Sequence, residues 1–440
     1  MTGGAHDRRR EPRLDTGPPR GMRDVLPAEV ELRDRTLATI LDVYRRRGFQ
    51  RIETPAVESL KLLTRGEGGE NEKLIFKILK RGEKFSAALG SEELADLGLR
   101  FDLTVPLARY YANNHARLPH PLKAIQLGPV WRAERPQHGR FRQFTQCDID
   151  ILGVRSEIAE IELILATTDA LSTLGLEGLA VRVNDRRILA SVVRHCGFEE
   201  PRFESVFIAL DKLDKVGRAG VVAELNAEGH PDRAVSTLRA LLDEVTGAAG
   251  PDDMYRILGG ALDGAVWRAL SRIIETAAQG ARARVQIAFD PTLVRGMSYY
   301  TGPIFEIRYR DASASIAGGG RYDRMIGSLL GHEVPATGFS IGFERVIGIL
   351  TERGPAGIWG PQRTAFVFDE STAHLQKILA MARTLWDQGQ LVLLELKAKK
   401  LGRQLRDLQS RGFRRIVVFD AEGQPRDVDL TLGTPREETT

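Results

Sequence analysis

Cysteine is almost missing from this 440-residue chain: Cys147 and Cys196 stand alone, with no Cys-x-x-Cys and no Cys/His cluster at metal-ligand spacing. That excludes a disulfide framework and a cysteine-built metal centre, and fits two buried thiols in a reducing compartment. Long apolar runs are missing too, and none approaches the roughly 20 residues of a bilayer-spanning helix. The Arg-rich, polar N-terminus has no apolar stretch of the secretory type. The expectation is therefore a cytoplasmic protein with no membrane partner. A dominant charge is also lacking. Lys and Arg number 63 against 59 Asp and Glu, for a net charge of +4 and a pI near 9.0. This permits a nucleic-acid partner without requiring one. No internal repeat is evident, and no Gly-x-x-x-x-Gly-Lys-Ser/Thr loop occurs.

What is present is an ordinary globular composition, 42% hydrophobic and 28% charged, over a length suited to two or three domains. Residues 1–18 carry Gly, Pro, Arg and Asp without periodicity and read as a disordered tail. Helical periodicity follows over 30–47, then a strand over 49–57 that carries Pro55. A proline there implies an edge or an interface. A strong helix pattern covers 155–175, and a mostly helical insertion is expected over about 181–280. Strand patterns return at 285–289 and 304–308, followed by a strand-to-helix transition over 336–350. Residues 354–362 read as a linker. Beyond it, strand and helix alternate (364–368, 373–387, 391–396, 400–411, 415–419), which predicts a small α/β domain over 363–440 with a mainly parallel sheet.

The densest chemistry lies in Arg132-Ala-Glu-Arg-Pro-Gln-His-Gly-Arg-Phe-Arg-Gln-Phe-Thr-Gln146. The flanking patterns read as strand, turn, strand, with Pro136 and Gly139 at the turn. In the exit strand Arg142, Phe144, Gln146, Asp148 and Asp150 share one parity, and Cys147, Ile149 and Ile151 share the other. One face is apolar and the other carries guanidinium, aromatic, amide and carboxylate groups. Solvation is the simple account of such a face, yet a Phe among Arg and Asp suits the floor of a site for a flat, phosphate-bearing ligand. Guanidinium groups match phosphate oxygens in a way that lysine does not.

Four other segments add to it. Leu293-Val-Arg-Gly-Met-Ser-Tyr-Tyr-Thr-Gly302 reads as a pocket wall with hydroxyls turned inward. Gly318-Gly-Gly-Arg-Tyr-Asp323 reads as close backbone packing with Tyr322 directed at a ligand. Arg100-Phe-Asp-Leu-Thr104 puts Asp102 and Thr104 on one strand face, a pairing suited to an ammonium group. Gly338-Phe-Ser-Ile-Gly-Phe-Glu-Arg345 delivers Arg345 at a helix start, which already favours anions. Each has a bland structural alternative; their joint presence favours a ligand site.

Together with Gly21-Met-Arg-Asp-Val-Leu-Pro27, Gly69-Glu-Asn-Glu-Lys-Leu-Ile-Phe76 and Leu99-Arg-Phe-Asp-Leu-Thr-Val-Pro106, these segments resemble the histidyl-tRNA synthetases, a family of class II aminoacyl-tRNA synthetases. The resemblance runs from about Gly21 to Phe419. The Arg132 hairpin looks like class II motif 2, the Arg345 segment like motif 3, and the Pro55 region like motif 1, which forms a dimer interface. The implied fold is an α/β (α+β) protein: a class II antiparallel sheet flanked by helices over 19–353, with the helical insertion, and an anticodon-binding-like α/β domain over 363–440. The implied activity is ATP-dependent conversion of histidine to histidyl-adenylate, then transfer to the 3′ end of histidine tRNA by a homodimer using ATP and Mg2+.

The resemblance also assigns residues. Arg132 and Arg295 are the catalytic arginines at the α-phosphate. Glu134 meets the adenine edge, Phe144 stacks on adenine, and Arg140 and Arg345 hold the outer phosphates. Asp150 and Tyr300 bind the two imidazole nitrogens, Tyr322 closes the pocket, and Tyr299 belongs to the same histidine site. Asp102, Thr104 and Gln146 hold the α-ammonium. Arg135 and Gln137 meet the tRNA acceptor end. No resident metal site is implied. Lys397 to Arg415, with eight Lys/Arg against one Asp, fits a phosphate backbone in the anticodon-binding-like domain. Two departures stand out: Ser298 replaces the family's usual Asp, and no closing strand pattern follows Phe419. The alternatives are a paralogue that activates histidine for another acceptor, and a non-catalytic regulatory subunit of ATP phosphoribosyltransferase. The second typically lacks the Arg-Gly/Tyr-Tyr segment and the C-terminal domain, both present in this chain.

Overall fold

The computed structural model describes residues 15–65, 71–88, 94–135, 141–245, 251–259, 262–295, 299–310, 314–353, 363–369 and 374–428. It divides into two compact units, Met1–Val25 with Arg33–Ile347, and Leu26–Leu32 with Gly348–Thr440. The strands of the first unit are β1 (Gln50–Ile52), β2 (Val57–Ser59), β3 (Lys77–Leu79), β4 (Ala95–Leu99), β5 (Leu122–Trp131), β6 (Gln143–Leu152), β7 (Leu179–Asp185), β8 (Val285–Phe289), β9 (Pro303–Tyr309), β10 (Ser315–Arg321) and β11 (Ala336–Gly342). Eight of them form one sheet in the order β1-β5-β6-β11-β10-β9-β7-β8. Its six central strands, β5 to β7, pair antiparallel; the end pairs β1/β5 and β7/β8 are parallel. This is the helix-flanked, antiparallel-dominated sheet that the sequence implies. A three-stranded sheet, β2-β4-β3, stands beside it.

The expected hairpin is β5 and β6, paired from Leu122↔Leu152 to Trp131↔Gln143. Its apolar parity is covered by helices: Tyr44 of helix Pro27–Arg46 and Thr167 of helix Ile158–Thr173 lie together beside Cys147. The polar parity is not left to solvent, since Asp148 and Asp150 are buried. Burying carboxylates carries a large desolvation cost unless a ligand or partner answers them, which makes this face the candidate for a site.

Four readings change. Residues 100–104 do not extend a strand. β4 stops at Leu99, and Thr104 opens helix Thr104–Asn114. Asp102 Oδ1 accepts the Val105 amide at 3.2 Å, and Pro106 sits in the first turn, where a missing N–H leaves no helical bond unmade. The single strand expected over 49–57 is split, with β1 on the edge of the large sheet, β2 in the small one, and Pro55 between them. The helical insertion expected from about 181 starts later, because Leu179–Asp185 is the next-to-last strand of the large sheet. Its helices run from Arg186–His195 to Gly264–Gly280, closing a crossover between the parallel pair β7 and β8.

The fourth change lies in the second unit. There β12 (Arg363–Phe368), β13 (Leu391–Leu396) and β14 (Arg415–Phe419) pair in parallel, with helices Leu375–Asp387 and Leu401–Ser410 between them. A closing strand does follow Phe419: β15 (Pro425–Asp427) pairs antiparallel with β14, and Arg415 holds Asp427 at 2.9 Å. Its Pro-Arg-Asp sequence has no apolar alternation to announce it. Lys399, Lys400, Arg403, Arg406 and Arg414 are exposed. The expected linker and most of the 1–18 tail lie outside the described residues.

Candidate active site

Register decides which side chains meet. One row crosses the large sheet at a single level: Ile52, Gln126, Asp148, Ser340, Gly318, Glu306, Arg182 and Ala288. The row two residues along runs Ala124, Asp150, Gly338, Gly320, Ile304 and Asn184. The glycines on β10 and β11 are what make room for neighbouring side chains in the middle of this face. A Cβ at Gly338 would fall 2.0 Å from Asp150 Oδ1, and one at Gly318 would fall 2.5 Å from Arg295 Nη1.

Tyr322, only 2% exposed, donates its hydroxyl to Asp150 Oδ1 at 2.6 Å. Its ring meets Tyr299 edge-on at 5.9 Å, and Tyr299 lies 4.8 Å from Tyr300. Thr104 and Tyr300 both hydrogen-bond the Tyr299 hydroxyl. Asp102, Asp148 and Asp150 feel one another and, for the first two, Arg132. Burial is the main cause that raises all three carboxyls. Asp150 reaches about 7 despite the Tyr322 hydrogen bond, Asp102 about 6 despite the Val105 amide and Arg132, and Asp148 lies well above its ordinary value. Asp102 Oδ2, Asp148 Oδ1, Asp150 Oδ2 and Gln146 Oε1 are buried acceptors with no hydrogen-bond partner among the described residues.

The cationic side is built differently. Arg132 donates Nε to the Phe101 carbonyl at 3.0 Å, and its guanidinium lies over the Phe144 ring at 5.1 Å. Arg142 is taken up by structure: its Nε donates to the Glu134 carbonyl at 3.0 Å, and its own carbonyl accepts the Arg132 amide at 2.8 Å. Arg295 pairs with Glu306 at 3.2 Å and keeps Nε buried without a partner among the described residues. Burial opposes its charge, but Tyr300, Glu306 and Asp211 raise its pKa. Arg345, third residue of helix Phe343–Glu352, hydrogen-bonds Ser315 of β10. Its neighbour Glu344 accepts Arg33 at 2.6 Å and the Thr145 amide at 3.1 Å, which ties that helix start to β6.

Asp102, Asp150, Tyr300 and Tyr322, all buried, therefore cluster with half-buried Thr104 and Tyr299. Gln146 lies on the same face of β6 as Asp150. Arg132 and Arg295 stand against the cluster, with Phe144 under Arg132. Glu134 and Arg135 follow the end of β5. Gln137, Arg140 and Ser298 lie outside the described residues. Sequence reasoning misses Asp148, Glu306 and the room that Gly318 and Gly338 leave for Arg295 and Asp150. Asp148 has the right parity to be found; the others depend on register.

A family profile described as "Histidyl-tRNA synthetase" matches residues 21–346. A histidine–tRNA ligase of Leifsonia xyli subsp. xyli is 46% identical over 430 residues, 94% of this chain and 97% of that protein. A probable histidine–tRNA ligase of Tropheryma whipplei is 40% identical over 419 residues, 93% of this chain and 96% of that one. Among solved structures, the histidyl-tRNA synthetase of Nostoc sp. PCC 7120 superposes with a TM-score of 0.74 at 26% identity, covering 96% of this chain and 98% of its own. An ATP phosphoribosyltransferase regulatory subunit/histidyl-tRNA synthetase from Bacillus halodurans gives 0.71 at 22% identity, over 93% and 99%, a likeness of fold.

Proposed function

Since the chain belongs to the histidyl-tRNA synthetase family, we propose that it is a histidine–tRNA ligase whose buried cluster binds histidine and whose arginines hold ATP. The observation that carries this is the sign of the unanswered groups. Four buried acceptors, three of them carboxylate oxygens, lack a hydrogen-bond partner among the described residues. The three carboxylates, Asp102, Asp148 and Asp150, lie close enough to feel one another, and together these groups call for a ligand rich in N–H donors. Histidine offers an ammonium group and an imidazole with a nitrogen on each side.

In this reading Asp150, fixed by Tyr322, and Tyr300 take the two imidazole nitrogens, with Tyr299 behind them. Asp102, Thr104 and Gln146 take the ammonium. An apolar amino acid would leave these groups unpaired, which is a strong basis for rejection. ATP lies over Phe144, with Glu134 at the adenine edge, Arg132 and Arg295 at the α-phosphate, and Arg140 and Arg345 at the outer phosphates. The carboxylate of histidine attacks the α-phosphorus, pyrophosphate leaves, and the fixed guanidiniums stabilise the charge that develops. No general base is needed for that step. Mg2+ enters as part of the ATP substrate; among the described residues no group of three or more His, Cys, Asp or Glu could hold a metal. Arg135 and Gln137 receive the tRNA acceptor end, the second unit binds the anticodon, and the protein works as a cytoplasmic homodimer. Among the described residues no helix is long and apolar enough to cross a membrane.

Histidine-dependent ATP–pyrophosphate exchange, followed by charging of histidine tRNA, tests the reading. Both reactions are expected, and Arg295→Ala abolishes exchange while thermal unfolding stays cooperative. No exchange by the unaltered protein would remove the enzyme reading and favour the regulatory one. Exchange without charging would point to another acceptor.

A further inference from the structure

We propose that Glu306 is a positioning residue for Arg295, and that the helical segment between β7 and β8 sets this position through Asp214. The inference rests on the histidine-activating role given to Arg295 above. Arg182 on β7, Glu306 on β9 and Gly318 on β10 stand side by side in register. Because Gly318 has no side chain, the Arg295 guanidinium lies over it and meets Glu306 from one side while Arg182 meets it from the other.

The two carboxylate oxygens divide the work. Glu306 Oε2 takes Arg295 at 3.2 Å; Oε1 takes Arg182 at 3.2 Å and Arg308 at 3.3 Å. One carboxylate thus serves three guanidiniums, and each competes for it. Asp214 relieves that competition. It stands in the first turn of helix Leu213–Ala227 and binds both rivals, Arg182 at 3.1 Å and Arg308. Arg182 also binds Asp290, whose carboxylate holds Thr292 by its amide at 2.9 Å and its hydroxyl at 2.6 Å. Thr292 is three residues before Arg295, so one residue fixes both the carboxylate that grips Arg295 and the start of the loop that carries it. Glu306 is 13% exposed, Arg182 14% and Arg295 24%, so screening by water is reduced at the centre of the network.

Kinetics on the full-length protein test the relay. Glu306→Gln keeps the shape and removes the charge. It is expected to lower kcat for pyrophosphate exchange about tenfold or more, with KM for histidine within about twofold, and Glu306→Asp recovers part of the loss. Asp214→Asn lowers kcat about threefold, and combined with Glu306→Gln the losses fall short of their product. Asp243→Asn, which breaks the Arg218 pair elsewhere in the helical segment, leaves kcat unchanged. Normal kcat in Glu306→Gln, or a full product in the double variant, overturns the relay.

A substrate-free measurement separates this from failure of the activity itself. The Tm shift caused by Asp214→Asn is expected to differ by about 1 °C or more between the unaltered and Arg295→Met backgrounds, although no hydrogen bond joins residues 214 and 295. Equal shifts overturn the relay whether or not the protein activates histidine.

Discussion

Gly338 faces Asp150 across the β11–β6 pair so closely that a methyl group at 338 would fall 2.0 Å from Asp150 Oδ1 and 3.3 Å from the Tyr322 ring. The carboxylate and the tyrosine that fixes it share the space where a side chain would be. Gly338→Ala is therefore expected to break the 2.6 Å hydrogen bond between Tyr322 and Asp150. Overpacking of this kind costs about 1–3 kcal/mol, which a folded protein of this size withstands. KM for histidine in pyrophosphate exchange should rise about tenfold or more, while KM for ATP changes little. Unchanged KM for histidine would mean that Asp150 does not read the imidazole.

The raised carboxyls make a pH prediction with a definite sign. Asp150 titrates near 7 and Asp102 near 6 in the folded chain, against an ordinary 3.8. Between about pH 4 and pH 7 the folded state holds more protons than the unfolded one, so folding stability falls as pH rises through that window. For Asp150 alone the loss is on the order of 4 kcal/mol once it is ionised. Asp150→Asn removes the charge and leaves an oxygen for Tyr322. Its Tm in the absence of substrate should exceed that of the unaltered protein at pH 8 and match it near pH 5, while histidine activation is lost. A lower Tm at pH 8 would contradict the burial argument.

Much of this site is legible in the sequence, and the reason is strand parity. Phe144, Gln146, Asp148 and Asp150 fall on one face because β-strand side chains alternate, and no distant partner is needed to see it. For Asp102 and Thr104 the sequence pattern points to the right neighbourhood by the wrong geometry. A five-residue segment with a polar residue at every second place looks like a strand, but Asp102 instead accepts the Val105 amide in the first turn of a helix. Glu306, Gly318 and Gly338 are beyond its reach. Their meaning depends on which residue stands opposite, and the partners Arg182, Arg295 and Asp150 lie from 11 to 188 positions away. The strand Leu179–Asp185 reads as the edge of a helical region for the same reason: both its neighbours, β8 and β9, lie more than 100 residues on.

The second unit offers a prediction that leaves the first step of the reaction untouched. Lys399, Lys400 and Arg403 are exposed at the start of helix Leu401–Ser410, whereas Lys397, Arg411 and Arg415 are engaged with Asp369, Glu395 and Asp427. Replacing the first three together by Ala should weaken tRNA binding and lower the slope of log affinity against log salt by about 2–3. Pyrophosphate exchange should stay normal. An unchanged salt slope would show that the tRNA backbone does not pass over this helix.

Beside Tyr322 lies an ion pair whose removal separates folding from recognition. Arg321 donates to Glu160 at 2.6 and 2.9 Å, and also reaches the carbonyls of Val154 and Ser156 and the Asp323 carboxylate. Glu160 is fully buried and Arg321 is 8% exposed. Burial raises the Glu160 pKa even with the arginine beside it. Removing one partner strands the other, at a cost of about 3–5 kcal/mol, whereas replacing both with apolar groups costs less. Glu160→Leu should therefore lower the Tm sharply, and Glu160→Leu with Arg321→Met should regain part of it in thermal unfolding. The double variant should still bind histidine poorly in pyrophosphate exchange, because Arg321 also fixes the turn that presents Tyr322 to Asp150. A double variant no more stable than Glu160→Leu would show that the stranded charge is not what destabilises the single one. A normal KM for histidine in the double variant would show that Tyr322 is held without Arg321.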